Sequence, residues 1–337
     1  APNGSFIAAN QYGDSNDQSA RGLATDGQGN VIVCGQFVGS ITFDSVLTSA
    51  GSQFPNGFVA KLSPSLQSIW SKRYGQGVGD TTLVNDCAVD LTDAVLITGT
   101  FQNSVFADVS GNNPVGQQLS TSAGDRNVFL VKYAAFGSHL WSASFGSTSA
   151  TDEGLAMAAS PADGSIAIAG ATEGDIDFGS GTHTNSAGRR GFVARFSSDG
   201  VIVLHDHLFG GDNENEASDV AFAGDGHTLV AGRFDGSIEI ATGNTLAGTG
   251  NGNDDLFVVR YDTAGSVVHS RVAGDAEEQN ANAVAVGPDA LEVFTGATAG
   301  AVDLGNAQVY APGGGAGFDG LLSKLDASGA GQWILGF

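Results

Sequence analysis

The chain has 337 residues, with 13 basic against 36 acidic side chains, a formal net charge of −23, 51 glycines, 41% hydrophobic and 15% charged residues. Such acidity opposes nucleic acid and anionic membrane surfaces, which are gripped by clustered Lys and Arg. Glycine at about twice its usual share, with Val, Ile, Leu and Phe recurring regularly, excludes both a helical bundle and a disordered chain, and no run of about 18 apolar residues predicts membrane insertion.

Ala1-Pro2-Asn3-Gly4-Ser5 reads as a linker at the start of a processed chain, with no visible signal peptide. Residues 5–13 end in Tyr12-Gly13 like the close of a strand, and are expected to serve as an extra closing strand. A pattern then recurs five times, over approximately 18–80, 81–152, 153–215, 216–279 and 280–337.

Each copy opens on a short strand A of small residues, such as Gly22-Leu23-Ala24-Thr25-Asp26. Strand B is β-branched, as in Val31-Ile32-Val33, and closes on Gly35, Gly99, Gly170, Gly232 or Gly296. An arm follows, reading GSITF at 39–43, GDIDF at 174–178, GSIEI at 236–240 and GAVDL at 300–304. Strand C is an apolar run ending in a base: Lys61, Lys132, Arg195, Arg260 and Lys324, spaced 71, 63, 65 and 64 residues apart. Strand D carries Trp70, Trp141, His205, His269 and Trp333, spaced 71, 64, 64 and 64 apart.

Period-2 segments separated by Gly/Asp turns are antiparallel hairpins. One four-stranded unit cannot bury both of its faces, whereas radial repetition buries both and leaves short protected edges. The expected fold is all-β: a single five-bladed β-propeller over 1–337, with four antiparallel strands per blade and an extended B–C arm. A parallel β-helix is the runner-up, but its repeats are far shorter.

The order of Asp26 to Gly35, Phe58 to Leu62 and Trp70 to Gly75, with counterparts in every copy, resembles the bacterial β-propeller repeat family of secreted and surface proteins. The resemblance spans residues 5–337 and implies a propeller in a secreted or cell-surface setting. It implies no catalytic residue, because that family shares none. His205 and His269 depart from the family's Trp, and five copies stand where the family often has seven blades.

A base repeated in every copy reads as architecture, pairing with a carboxylate or with carbonyls of a neighbouring strand; a ring of ligand-binding bases is the alternative. His205-Asp206-His207 puts both imidazoles on one strand face, a spacing at which two His can share a metal. His205 nevertheless sits in the Trp register and reads as a packed ring, as does His269. His139, His183 and His227 lie near turns and are expected in solvent. The loops from strand D to the next strand A are acidic, with Asp14, Asp80, Asp152, Asp212 and Asp275 as candidate metal ligands. A hard cation such as Ca²⁺ suits carboxylate and carbonyl oxygens, although no EF-hand spacing is present, and plain solvated loops are the alternative.

Cys34 and Cys87 occupy core positions of neighbouring copies; adjacent blades could bring them close, but free buried thiols are the expectation. No Gly-x-Ser-x-Gly, His-Glu-x-x-His or phosphate loop occurs. A glycosidase needs carboxylates converging on the central channel, whereas Asp26, Asp90 and Asp219 recur roughly with the repeat. The longest arm, in the second copy, offers Asn103, Asn112, Asn113 and Arg126 as candidate binding residues. The composite expectation is a monomeric, non-enzymatic, extracytoplasmic binding or scaffold module for carbohydrate or another surface protein, with Ca²⁺ as the one conceivable cofactor. A glycoside hydrolase-like enzyme, or a structural segment of a larger surface protein, are the alternatives.

Overall fold

The computed structural model describes residues 5–6, 8–51, 54–75, 79–106, 109–110, 113–114, 118–121, 124–148, 150–186, 188–211, 213–249, 252–287, 289–312 and 317–337. For residues 106, 109, 110, 113 and 114 only the backbone is described. These residues form strands and turns, without a helix.

Five four-stranded antiparallel sheets follow one another along the chain, each with its strands paired in sequence order A-B-C-D. The first comprises Gln18–Thr25, Val31–Phe37, Asn56–Leu62 and Ser68–Tyr74. The second comprises Thr82–Val89, Val95–Gln102, Arg126–Tyr133 and His139–Phe145. The third comprises Asp152–Ala159, Ile166–Thr172, Arg190–Phe196 and Val203–Leu208. The fourth comprises Asn215–Phe222, Thr228–Phe234, Asp255–Tyr261 and Val267–Ala273. The fifth comprises Gln279–Val286, Glu292–Thr298, Asp319–Leu325 and Gly331–Gly336. Repeated sheets of this kind fit a β-propeller-like fold. Asp152, Asn215 and Gln279 open a sheet rather than closing the copy before it.

The chain divides into two compact units, Ala1–Ser144 and Phe145–Phe337. In the first unit the two sheets bury a joint core that includes Cys34, Val59, Trp70, Val84, Ile97, Phe129 and Tyr133. In the second, one core joins the third and fourth sheets and another joins the fourth and fifth.

The arms are two-stranded hairpins, such as Ser40–Thr42 with Val46–Thr48 and Ser237–Ala241 with Asn244–Ala247. The second copy's arm pairs Ser104–Phe106 with Gln118–Ser120 and adds a small hairpin, Val109–Ser110 with Asn113–Pro114.

The glycine that closes strand B has one physical cause in all five copies. Strand A carries a β-bulge opposite it, between residues 20/22, 84/86, 154/156, 217/219 and 281/283. The bulge drives a carbonyl toward strand B. A Cβ on Gly99, Gly170, Gly232 or Gly296 would sit 1.9 Å from a strand A oxygen, and one on Gly35 2.0 Å away. No side chain fits there.

A second glycine explains the strand D ring at three of the five positions. Trp70 lies on Gly137, in the C–D turn of the next sheet, where a Cβ would come within 2.9 Å of the indole. His205 lies on Gly265 and His269 on Gly329 in the same way, at 2.7 and 2.4 Å.

Residues 5–13 correct one expectation: those described form no strand. Asn10 Nδ2 and Tyr12 Oη donate to Leu66 O instead, at 2.9 and 3.2 Å. The Tyr12 ring packs 4.7 Å from Phe43 of the first arm, as Phe145 packs 5.3 Å from Phe178 of the third. Side-chain anchoring of Tyr12 thus takes the place of a sixth strand.

Candidate functional site

Four of the five strand C bases are held in buried sockets, while Lys324 is half-buried. Lys61 Nζ lies 2.8 Å from Asp26 of its own A–B turn and donates to Ala135 O of the next sheet at 3.0 Å. Lys132 pairs with Asp90 at 2.6 Å. Arg195 bonds Asp163, Ser165 and Gly226 O, and stacks over Phe222. Arg260 bonds Asp225 at 2.9 Å and Glu292 of the next sheet at 3.0 Å. Burial would raise the Asp26 carboxyl, but Lys61 and Asn30 hold it down to about 2. Lys61, Arg195 and Arg260 thus tie a sheet to its neighbour, and Asp26 and Asp90 are committed to pairing with the strand C lysines rather than to a channel. Asp219 sits at a strand A bulge, accepts Val220 N and Val284 N, and is pushed by burial up to about 6.

The acidic D–A loops are wired to backbone. Asp14 accepts Asn16 N, Gln18 Nε2 and Ser40 N. Asp275 repeats this with Glu277 N, Gln279 Nε2 and Ala301 N. Asp152 accepts Ser147 N and the Thr172 hydroxyl, and burial raises it to about 6. Asp80 is buried, and Asp212 lies outside the described residues. Among the described residues no three His, Cys, Asp or Glu side chains gather as a metal site. These acids fix the root of an arm.

The second arm's candidates divide. Asn103 closes the arm's base, its N and O bonded to Thr121 and its Nδ2 to Gly79 O. Arg126 pairs with Gln102 at the start of strand C. Asn113 pairs through its backbone with Ser110, and Asn112 lies outside the described residues.

The three histidines expected in solvent are all partly buried. His139 meets the Tyr133 ring edge-on, His227 Nδ1 accepts from Arg260 Nε, and His183 faces Asp206.

That last contact opens onto the site of greatest chemical density. A cavity of about 430 Å³ in the second unit is lined by Thr182, His183, Arg190, Asp206, His207 and Glu239, among others. Strand alternation builds it. His205 and His207 turn toward Tyr261 of the fourth sheet, at 6.1 and 4.9 Å, while Asp206 turns toward its own sheet's arm. The fourth arm closes the far side, where Gly210 and Glu239 exchange backbone hydrogen bonds.

Asp206 Oδ2 accepts the Ser180 hydroxyl at 2.6 Å and lies 3.0 Å from His183 Nε2. His207 Nε2–H donates to Gly265 O at 2.9 Å, which leaves Nδ1 as an acceptor, and burial lowers its pKa. Glu239 Oε1 accepts Gly243 N. Arg190 Nη2 donates to Gly211 O, while its buried Nε has no partner among the described residues. Serine and histidine meet the same carboxylate oxygen, so no imidazole stands between hydroxyl and acid, as an activated nucleophile requires. The geometry suits holding a polar molecule.

Sequence reasoning missed Arg190, Glu239 and Glu292. Glu292 was findable: the position that opens strand B holds Val31, Val95, Ile166 or Thr228 in the other sheets.

No family profile matches the chain, and no curated protein does. A protein of unknown function from Bacteroides caccae is similar in structure at 10% identity and TM-score 0.40, over 83% of this chain and 90% of that one. Cobalt-substituted Synechocystis ACO is similar at 10% identity and TM-score 0.42, over 94% of this chain and 64% of that one. At these scores neither likeness bears on fold or function.

Proposed function

We propose that this chain is a non-enzymatic, extracytoplasmic binding module whose five sheets are the blades of one propeller, and that the cavity between the third and fourth sheets holds a saccharide. The observation that carries the reading is the lining of that cavity. Arg190 and three threonines, Thr182, Thr184 and Thr242, supply donors, while Asp206, Glu239 and His207 supply acceptors. A polyhydroxylated ring satisfies such a mixture, and the volume lies in the range of small-molecule sites.

A glycan array probed with the full chain, with and without Ca²⁺, tests this. The expected result is a Ca²⁺-independent set of binding saccharides, with Asp206→Ala and Glu239→Ala each weakening affinity by about 10-fold or more. Binding to nothing in either condition, or binding indifferent to both substitutions, would favour a scaffold role.

One observation favours a second reading as a carbohydrate-active enzyme: Asp206 and Glu239 are two carboxylates on one cavity. Turnover of an array ligand that is abolished by Asp206→Asn and Glu239→Gln, with binding retained, would select it.

A further inference from the structure

The chain has two cysteines, and the fold brings them together. Cys34 lies in strand B of the first sheet and Cys87 in strand A of the second; both are buried, free, and part of one core. Gly22 leaves them room: a Cβ there would sit 2.7 Å from Cys34 Sγ and 2.8 Å from Cys87 N. Burial, and after it the hydrogen-bonded thiol of Cys87, push the Cys34 thiol well above its ordinary range.

The repeat itself supplies the comparison. By register against the strand A bulge, Cys34 corresponds to Ala169 and Ala231, and Cys87 to Val220 and Val284. Ala169 and Val220 share the core between the third and fourth sheets; Ala231 and Val284 share the next. These two junctions are therefore built from a small residue against a branched one. At the first junction both members are replaced at once, and by the only two cysteines present. A lone buried cysteine acts as a small hydrophobe and needs no second. A contacting pair is what a cross-link requires.

We propose that Cys34 and Cys87 are a cross-linking site, forming a disulfide that staples the first sheet to the second. A thiolate from one cysteine attacks a small-molecule disulfide such as oxidised glutathione and expels one glutathione thiolate. The second cysteine then attacks the mixed disulfide and expels the other. One S–S bond is broken and one formed; the two cysteines lose two protons and two electrons, and the two glutathiones gain them. A buried thiol with a raised pKa reacts slowly in the folded chain, so closure belongs to folding, and the finished bond is shielded from reductant. Oxidising compartments favour such bonds.

The test is to refold the full chain from denaturant in a glutathione redox buffer, then alkylate under denaturing conditions and measure intact mass and non-reduced peptides. The expected result is no alkylatable thiol, a mass lower by two hydrogens, and one peptide pair joined through Cys34 and Cys87. The oxidised chain should melt roughly 5–10 °C above the reduced one. The variant Cys34→Ala/Cys87→Val, which installs the pair used between the third and fourth and between the fourth and fifth sheets, should fold and show one Tm in both buffers. Two alkylated thiols after oxidative refolding, or only glutathione adducts and intermolecular dimers, would overturn the proposal.

Discussion

Replacing His205 by Trp should remove an acid sensitivity built into the junction of the third and fourth sheets. Both His205 ring nitrogens are buried without a partner among the described residues. Burial, the nearby His207 and Arg195 push its pKa down from 6.5 to about 4, against the opposing pull of Asp206 and Asp262. The unfolded chain takes up this proton below about pH 6.5, whereas the folded chain refuses it until about pH 4. In that window the unfolded state binds more protons, so stability is full above 6.5 and falls as the pH falls. At about 1.4 kcal/mol per pKa unit, the loss by pH 4 is ~3 kcal/mol. Tryptophan has room: Trp70 stands 6.0 Å from Tyr133, as His205 stands 6.1 Å from Tyr261, each over a turn glycine. Trp70 Nε1–H also donates to Ala135 O, and Thr263 O occupies the matching turn position. Urea unfolding of both proteins at pH 7 and pH 4 isolates the effect, because the other titrating groups are common to both. His205→Trp should lose about 3 kcal/mol less than the parent between the two pH values. Equal losses would refute the account of a neutral, partnerless imidazole.

Glu292→Val strips a partner from both Arg260 and His269 and should cost about 3–5 kcal/mol in chemical unfolding, as breaking a buried ion pair does; adding His269→Trp should recover part of it. Gly232→Ala sets a methyl 1.9 Å from Glu216 O, and the strand A bulge must shift, at about 1–3 kcal/mol or more by the same assay. Asp219 shows the opposite pH sign to His205. Its folded pKa is raised from 3.8 to about 6, so its contribution is complete below about 3.8 and is lost as the pH rises through about 6. A carboxyl ¹³C titration should find its midpoint near 6, and a midpoint near 3.8 would refute the burial argument.

The repeated features were legible because the chain states them five times. The strand C base, the strand D ring and the glycine closing strand B each recur at one register; a bulge accounts for the glycine in all five copies, a turn carboxylate meets the base in four, and a turn glycine underlies the ring in three. The cavity was not legible for the opposite reason. Arg190 and Asp206 come from the third sheet and Glu239 from the fourth arm; neither Arg190 nor Asp206 stands at a recurring position, and Glu239 shares its arm position with Asp177 and Asp303, so nothing singled it out. Alternation correctly separated Asp206 from His205 and His207, but nothing in the strand pattern says that an arm residue, His183, waits on the other side. The backbone role of the D–A acids was not legible for a third reason. A carboxylate that caps backbone N–H groups has the composition of a cation ligand, and only the Ser40 and Ala301 amides reveal the difference.

An internal repeat also turns each departure into a controlled substitution. Trp70 bonds a neighbouring carbonyl with its single donor and fills the space over Gly137. Where histidine takes that place, the second polar atom must be met or left bare, and the two cases diverge. At the fourth sheet His269 Nε2 meets Glu292, whose carboxylate also takes Arg260, and only Nδ1 is left without a partner among the described residues. At the third no such acid exists: the position of Glu292 is Thr228, and the imidazole of His205 stays unpartnered beside His207, itself a lining residue of the cavity. The junction that gives up both the indole and a compensating charge is the one next to the polar cavity. Local rules are broken where a fold is used. The saccharide reading and the acid sensitivity of His205 therefore converge on one junction, reached from independent observations.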